Sequence, residues 1–312
     1  MTTELTTDPG RAAAVLGRGG TCAVPTETVY GLAALASDAG AVEAVFRAKG
    51  RPADNPLIVH VLRAEHAGAV AEVTETGRRL LEAFAPGPLT VVLPARPGLA
   101  PAVTAGLATV AVRVPRGREI RDVLRRLGAP IVAPSANRSG RPSPTTWQAA
   151  RDDLDGRIDA ILQAPPTAIG IESTVVDATG DTPLVLRPGA VSLDDLRAAI
   201  PSTRVAEPLA DALRQSPGTR HRHYAPRARV RLATVEEADP SRDAAWIGLS
   251  TPPPGYGAVA VCPTVADYAR QLFDVFRRSD AAGLTRIDAE PVPLDGGLGS
   301  AVMDRLRRAA QR

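Results

Sequence analysis

Short apolar runs alternate with stretches in which apolar residues recur every three or four positions, the two periods expected of strands and amphipathic helices. TCAV (21–24) predicts a strand that Pro25 breaks. LIVHVL (57–62), LTVVL (89–93), TVAVRV (109–114) and IVAP (131–134) predict further strands, as do STVVD (173–177) and LVLRPG (184–189). Between them lie helical patterns. Asp38 is placed to cap a helix through AVEAVFRAK that Gly50 stops, REIRDVLRRLG (118–128) ends in glycine, and Thr145 or Thr146 precedes WQAARDDL. The alternation predicts an α/β protein and leaves strand order open.

The pattern fades over residues 201–226, which are rich in Pro, Gly, Ser and Arg, and then resumes. ARVRLA, AAWIGLS, AVAVC and TRIDA read as strands, and TVADYARQLFDVFRR and SAVMDRLRRAA as helices, a second, small and parallel α/β unit. The predicted organisation is a first domain over 1–205, a basic linker over 206–228 and a C-terminal domain over 229–312.

Composition narrows the class. Hydrophobic residues make up 44% and charged residues 23% of 312, an ordinary globular balance, while aromatics at 3% leave the core to Ala, Val, Leu and Ile. No apolar run is long enough to span a membrane, and the N-terminus lacks a secretory pattern. Cys22 and Cys262 are too few and too far apart for a disulfide framework or a cysteine zinc site, so a reducing cytoplasm is expected. The net charge of +3 comes from residues 201–312, since residues 1–200 balance. Between Arg214 and Arg231 six arginines and two histidines meet no carboxylate, which suits either a solvated tether or a segment lying against something anionic. Of the 37 basic residues only Lys49 is a lysine, a place where a compact ammonium is required or a stray of composition.

Four clusters carry candidate chemistry, each at a strand end or loop. PTETVYGL (25–32) offers three hydroxyls and a carboxylate, or an ordinary polar turn. In KGRPADNPLIVH (49–60), Lys49 and Arg51 flank a helix-stopping glycine and could present two cations to one anion, and Asn55 stands in extended backbone before Pro56. His60, in an apolar strand, reads equally as a satisfied core residue or as part of a site. RVPRG with APSANRSGRPSPTT (113–117 and 133–146) exposes a hydroxyl and an amide suited to an adenine edge, a ribose or a phosphate oxygen. IESTVVD with LRPGA adds Ser173 and Arg187. Neither a Walker loop nor a dinucleotide fingerprint is present, so chemistry alone reaches an anion- or nucleotide-binding α/β protein.

In this order, PTETVYGL, KGRP-x-x-NPLIVHV, the SAN segment and LRPG resemble the YrdC-like threonylcarbamoyl-AMP synthases over about residues 10–200, and SPGTRHRHYAP with the second domain resembles that family's longer, two-domain form. The resemblance implies a YrdC-like twisted mixed sheet with helices around a large, open, positively lined cavity, plus a small Rossmann-like α/β C-terminal domain. It implies a reaction that joins L-threonine, bicarbonate and ATP, with Mg²⁺ accompanying ATP, and releases pyrophosphate. The product would pass to a threonylcarbamoyl transferase that modifies tRNA next to the anticodon.

By the same resemblance Lys49, Arg51, Ser135 and Asn137 form the catalytic set, with Lys49 and Arg51 on the ATP phosphates. Thr28, His60, Arg113, Ala133 and Ser173 hold threonine, Arg113 taking its carboxylate. Arg51, Asn55, Thr109, Ser135, Ser143 and Arg187 line the nucleotide side, and Tyr224 closes over it. Thr219 and His221 stand where the family often has Met and an aromatic, and Asp304 where Asn is common, departures that bear on lid closure. The hydrogenase-maturation carbamoyltransferases share a similar domain but carry cysteine-rich zinc modules, which two cysteines do not supply. A non-catalytic nucleotide- or RNA-binding module, with weak RNA binding, is the alternative reading. The intact Lys49/Arg51 and Ser135/Asn137 pairs favour the enzyme. His221 and His223 find no further ligand cluster, so no metal site in the protein is expected.

Overall fold

The structure, a computed structural model, describes residues 2–206, 225–294 and 297–311. Most of the expected linker, with Tyr224, Thr219, His221 and His223, lies outside the described residues.

Among the described residues of the first domain, eleven strands make one mixed sheet: β1 (Glu4–Thr6), β2 (Cys22–Pro25), β3 (Tyr30–Leu35), β4 (Ile58–His60), β5 (Leu89–Pro94), β6 (Thr109–Arg113), β7 (Ile131–Val132), β8 (Ala160–Leu162), β9 (Thr174–Asp177), β10 (Leu184–Arg187) and β11 (Arg204–Val205). Their order is β1-β8-β2-β3-β7-β4-β6-β5-β9-β10-β11. Parallel pairs (β4 with β6, β5 with β9) alternate with antiparallel ones (β3 with β7, β5 with β6). Helices α1 (Pro9–Gly17), α2 (Ala39–Lys49), α3 (Glu75–Phe84), α4 (Pro101–Thr104), α5 (Arg118–Leu127), α6 (Trp147–Leu154) and α7 (Leu193–Ala199) surround it.

The termini of α2 follow the expected chemistry. The Asp38 side chain accepts a hydrogen bond from the Ala41 N–H at 3.0 Å, and Gly50 takes the left-handed conformation (φ 58) that ends the helix and turns the chain towards Arg51. Thr146, not Thr145, caps α6. Pro25 does not break β2 but ends it, opposite Tyr30, where its missing N–H costs little. The predicted run LIVHVL yields only the three residues of β4. β11 extends the first sheet beside β10.

The second domain is a four-stranded, all-parallel sheet in the order β12-β15-β13-β14, from β12 (Arg229–Leu232), β13 (Ala244–Gly248), β14 (Ala258–Val261) and β15 (Arg286–Ala289). Helices α8 (Val265–Ala281) and α9 (Leu298–Ala310) bury Leu272, Phe273, Phe276, Val302 and Leu306 against one face. Val29 and Ile171 of the first domain belong to this second core. Beside Ile171, Gly170 (φ +86) lies against α8 so closely that a Cβ would stand 2.4 Å from the Arg270 Cα. The two domains therefore share a continuous apolar seam.

Candidate active site

Register places the polar residues. β4 and β6 run parallel with His60 beside Arg113, and β5 brings Thr90 opposite Arg113 on the other side. Three strands thus carry a row of polar side chains where alternation would otherwise place aliphatic ones. Ser173, just before β9, joins the row through its Oγ, 2.8 Å from Thr90 Oγ1. Antiparallel pairing of β3 and β7, extended by a bridge between Gly31 and Ser135, lays the Ala133–Asn137 turn against the turn that holds Thr28. Gly31 is needed there, because a Cβ would come within 3.0 Å of the Ala133 Cβ.

These elements line an open cleft of about 640 Å³, counting the solvent space at its mouth. Thr28, His60, Arg113, Ala133 and Ser173 line it together with Lys49, Arg51, Ser135, Asn137 and Arg187. Three expected residues are not in its wall. Asn55 is fully buried beside Pro56, and its carbonyl accepts from Arg51 Nε at 3.1 Å. Ser143 stands one layer back, its Oγ donating to Glu172 Oε1 at 2.5 Å. Thr109 shares the cavity face of β6 with Ala111 and Arg113 but stands four residues, about 13 Å, along the strand from Arg113. Tyr224 lies outside the described residues.

Arg113 is 4% exposed and fixed on three sides. It donates to Glu27 Oε1 at 2.7 Å, to Thr28 Oγ1 at 3.0 Å and to the Gly87 carbonyl at 3.4 Å. Two of the five guanidinium N–H groups remain, a set suited to a carboxylate. The second Glu27 oxygen accepts from the Arg116 and Gly117 N–H groups, both at 3.1 Å. Burial opposes ionisation of Glu27, but the Arg113 guanidinium and these hydrogen bonds outweigh it and hold the carboxyl below its ordinary value.

His60 is neutral. Burial first, and the Arg113 charge second, push its pKa down to about 3. Its Nδ1 sits 3.2 Å from the Ile58 carbonyl, which needs a proton there, so Nε2 is left as an acceptor. The two sequence readings of His60 are both realised, since it is a buried strand residue and part of the cavity wall.

Lys49 is 2% exposed, and its ammonium donates to the backbone carbonyls of Ser135 at 2.5 Å and Asn137 at 2.7 Å. A compact point donor fits between two carbonyls two residues apart, and a planar fork would not. The sole lysine of the chain therefore shapes the Ser135–Asn137 turn, with one of three donors left over. Burial, then the Arg51 charge, lowers its pKa, while Asp153 opposes the shift. Arg51 donates to the carbonyls of Asn55 and Pro56. Asn137 spends both amide protons on the carbonyls of Arg138 and Arg141, and its buried Oδ1 has no partner among the described residues, which leaves an acceptor for a ligand donor. Arg187 clasps the Ser173 carbonyl at 2.9 Å.

Two residues that sequence reasoning passed over belong here. Glu172 lines the cavity, and Arg305, from α9 of the second domain, donates to its Oε2 at 3.0 Å. Arg305 occupies the stripe Ala301, Val302, Leu306 and Ala309, a helix face that is otherwise apolar and buried. An arginine in that stripe is the signal that could have found it.

A twisted mixed sheet whose face brings cations and a neutral imidazole into one open cavity defines a YrdC-like α/β protein. The family model described as telomere recombination, that of Sua5, YciO and YrdC, matches residues 14–189, and the threonylcarbamoyl-AMP synthase C-terminal domain matches 191–311. Threonylcarbamoyl-AMP synthases of Bacillus subtilis and Pyrococcus abyssi are each 39% identical to the chain; the first match covers 99% of this chain and 96% of the relative, the second 96% and 93%. The solved structure of P. abyssi Sua5 complexed with L-threonine matches with a TM-score of 0.88 at 36% identity, over 99% of this chain and 97% of that one. E. coli YciO, at 20% identity and a TM-score of 0.55 over 62% of the chain, shares the fold alone. The chain belongs to the threonylcarbamoyl-AMP synthase family, nucleotidyltransferases of tRNA modification.

Proposed function

We propose that the cavity makes L-threonylcarbamoyladenylate from L-threonine, bicarbonate and ATP. The observation that carries this reading is the cavity wall itself: the Arg113 guanidinium, set by Glu27 and with donors left for a carboxylate, lines the same cavity as the cations Lys49, Arg51 and Arg187. It is supported by the likeness, over nearly the whole chain, to a synthase solved with L-threonine.

Arg113 takes the threonine carboxylate, its plane set by Glu27. Thr28, Ser173 and the neutral His60 Nε2 address the amine and hydroxyl, and Ala133 borders the methyl group. The amine attacks bicarbonate and water leaves, giving a carbamate. A carbamate oxygen then attacks the α-phosphate of ATP and pyrophosphate departs. Two anions must meet, so positioning and cations account for the rate, and no nucleophilic side chain is required. Lys49, Arg51 and Ser135 meet the phosphates, the Asn137 Oδ1 accepts from a nucleotide donor, and Arg187, Ser143, Asn55 and Thr109 border the path of the nucleotide. Mg²⁺ enters with ATP as part of the substrate. The carboxylates near the cavity, Glu27 and Glu172, are engaged by arginines, so the phosphates and water supply its oxygen ligands. The adenylate is then consumed by a threonylcarbamoyl transferase acting on tRNA.

The test is threonine-dependent release of pyrophosphate from Mg·ATP with bicarbonate present. Release that does not depend on threonine would overturn the reading, and ATP binding without release would favour the binding-module alternative.

A further inference from the structure

Residues 170–172 leave the cavity wall, enter the second domain and return. Ile171 is fully buried in the second core, and Glu172 turns back to face the cavity. Its two oxygens are divided between the domains: Oε1 accepts from Ser143 of the first, and Oε2 from Arg305 of the second. Arg305 is fully buried and also donates to the Pro188 carbonyl at 2.9 Å, in the turn that follows Arg187, and to Asp304 at 2.8 Å. One side chain of α9 thus touches the wall carboxylate and the backbone behind the wall arginine.

We propose that Arg305 is a positioning residue for the nucleotide end of the cavity. From the second domain it pairs the Glu172 carboxylate, holds Ser143 through it, and cancels a negative charge that would otherwise face the triphosphate. The inference rests on the ATP reading above. A carboxylate buried without its partner is costly in itself, and in a partly dry cavity it repels phosphate strongly. The second domain is on this account a component of the first domain's cavity wall.

The discriminating experiment is a charge cycle in the full-length chain, with Arg305→Met, Glu172→Gln and the double variant. It is read by calorimetric binding of Mg·ATP and by the KM values for ATP and threonine. Arg305→Met should weaken Mg·ATP binding by about tenfold or more, and shift the threonine KM by less than about threefold. Glu172→Gln alone should change ATP binding less than about threefold. The double variant, which still lacks the arginine, should return to within about threefold of Glu172→Gln. A double variant that binds ATP as poorly as Arg305→Met would overturn the proposal and leave Arg305 as domain glue. Unchanged ATP binding in Arg305→Met would overturn it equally. If Arg305→Met does not fold, the neutral, polar Arg305→Gln with and without Glu172→Gln carries the same comparison. A wild-type protein that binds Mg·ATP but releases no pyrophosphate with threonine refutes the synthase reading alone, and the binding cycle still decides the role of Arg305. A wild type that binds no Mg·ATP overturns both.

Discussion

Each domain buries a carboxylate against arginine, and the two arrangements are put to different use. In the first domain Glu27 and Arg113 are both about 5% exposed, and the arginine keeps N–H groups facing an open cavity. In the second, Asp288 is wholly buried and enclosed by Arg231 at 2.8 Å, Arg286 at 3.2 Å and the Tyr256 hydroxyl at 2.6 Å. Burial alone would raise its pKa, and the Arg231 hydrogen bonds, with Tyr256 and the charges around it, outweigh that and lower it. The second cluster turns its hydrogen bonds on Asp288 and on the nearby Glu237 and Asp239, on the face of the sheet opposite the helices, beside Trp246. A closed network serves as a strut, while one with donors left over can serve as a site. Burial and charge do not separate the two cases; the direction of the unused hydrogen bonds does.

The sharpest way to break this contrast is to substitute a member of each cluster. Arg113→Lys keeps the charge but removes the fork that meets Glu27, Thr28 and a ligand carboxylate together. It should lower kcat/KM for threonine by about a thousandfold, or about 4 kcal/mol, measured by pyrophosphate release. Loss below tenfold would mean that the leftover donors have no substrate. Lys49→Arg should follow, with activity down about a hundredfold, because a fork cannot sit between the carbonyls of Ser135 and Asn137. Since Lys49 is buried in a tight clamp, its urea midpoint should fall as well, which an exposed phosphate-binding lysine would not show.

Asp288→Asn should give the opposite result, a loss of about 3 kcal/mol of stability by denaturant with both KM values within about twofold of wild type. A large KM change there would erase the distinction between strut and site. Replacing threonine by valine should reduce pyrophosphate release by about a hundredfold or more, because Thr28, Ser173 and His60 would lose the substrate hydroxyl as a partner.

A last comparison is that of pH. The folded pKa of His60, about 3, lies below the unfolded value near 6.5, so below pH 6.5 the unfolded chain takes up a proton that the folded chain refuses. Stability from this residue is complete above about pH 6.5 and falls as pH drops towards 3. The urea midpoint should decline over pH 6.5 to 4, and less steeply in His60→Gln.

Much of this was legible in the sequence where local rules coincide with tertiary ones. The α2 helix was marked at both ends by Asp38 and Gly50, and every strand and helix of the second domain stood out by its period. The first-domain elements that escaped include α1, α3, α4, α7 and β11, and three further strands of two kinds. β1 and β8 are three residues long and stable only as partners of each other and of β2. β3 follows so soon after a polar turn that YGLAAL reads as its continuation. At the site, Lys49 was visible because composition isolated it, and Arg113 because the motif did. Glu172 and Arg305 are 133 positions apart, and only the docking of α9 brings them together. Thr109 and Arg113 are separated by four positions on one strand, and nothing in the sequence told how far along that face the cavity extends.

Gly170 has a consequence for variation as well as for packing. Every amino acid that could replace it carries a Cβ, and at φ +86 that atom would press into the backbone of α8. In a saturation library scored by growth, position 170 should accept no substitute, although it lies in a loop, where replacements are ordinarily tolerated. Such a blank column, flanked by permissive neighbours such as Ala168, would locate the domain seam from genotype alone, before any residue of the cavity had been tested.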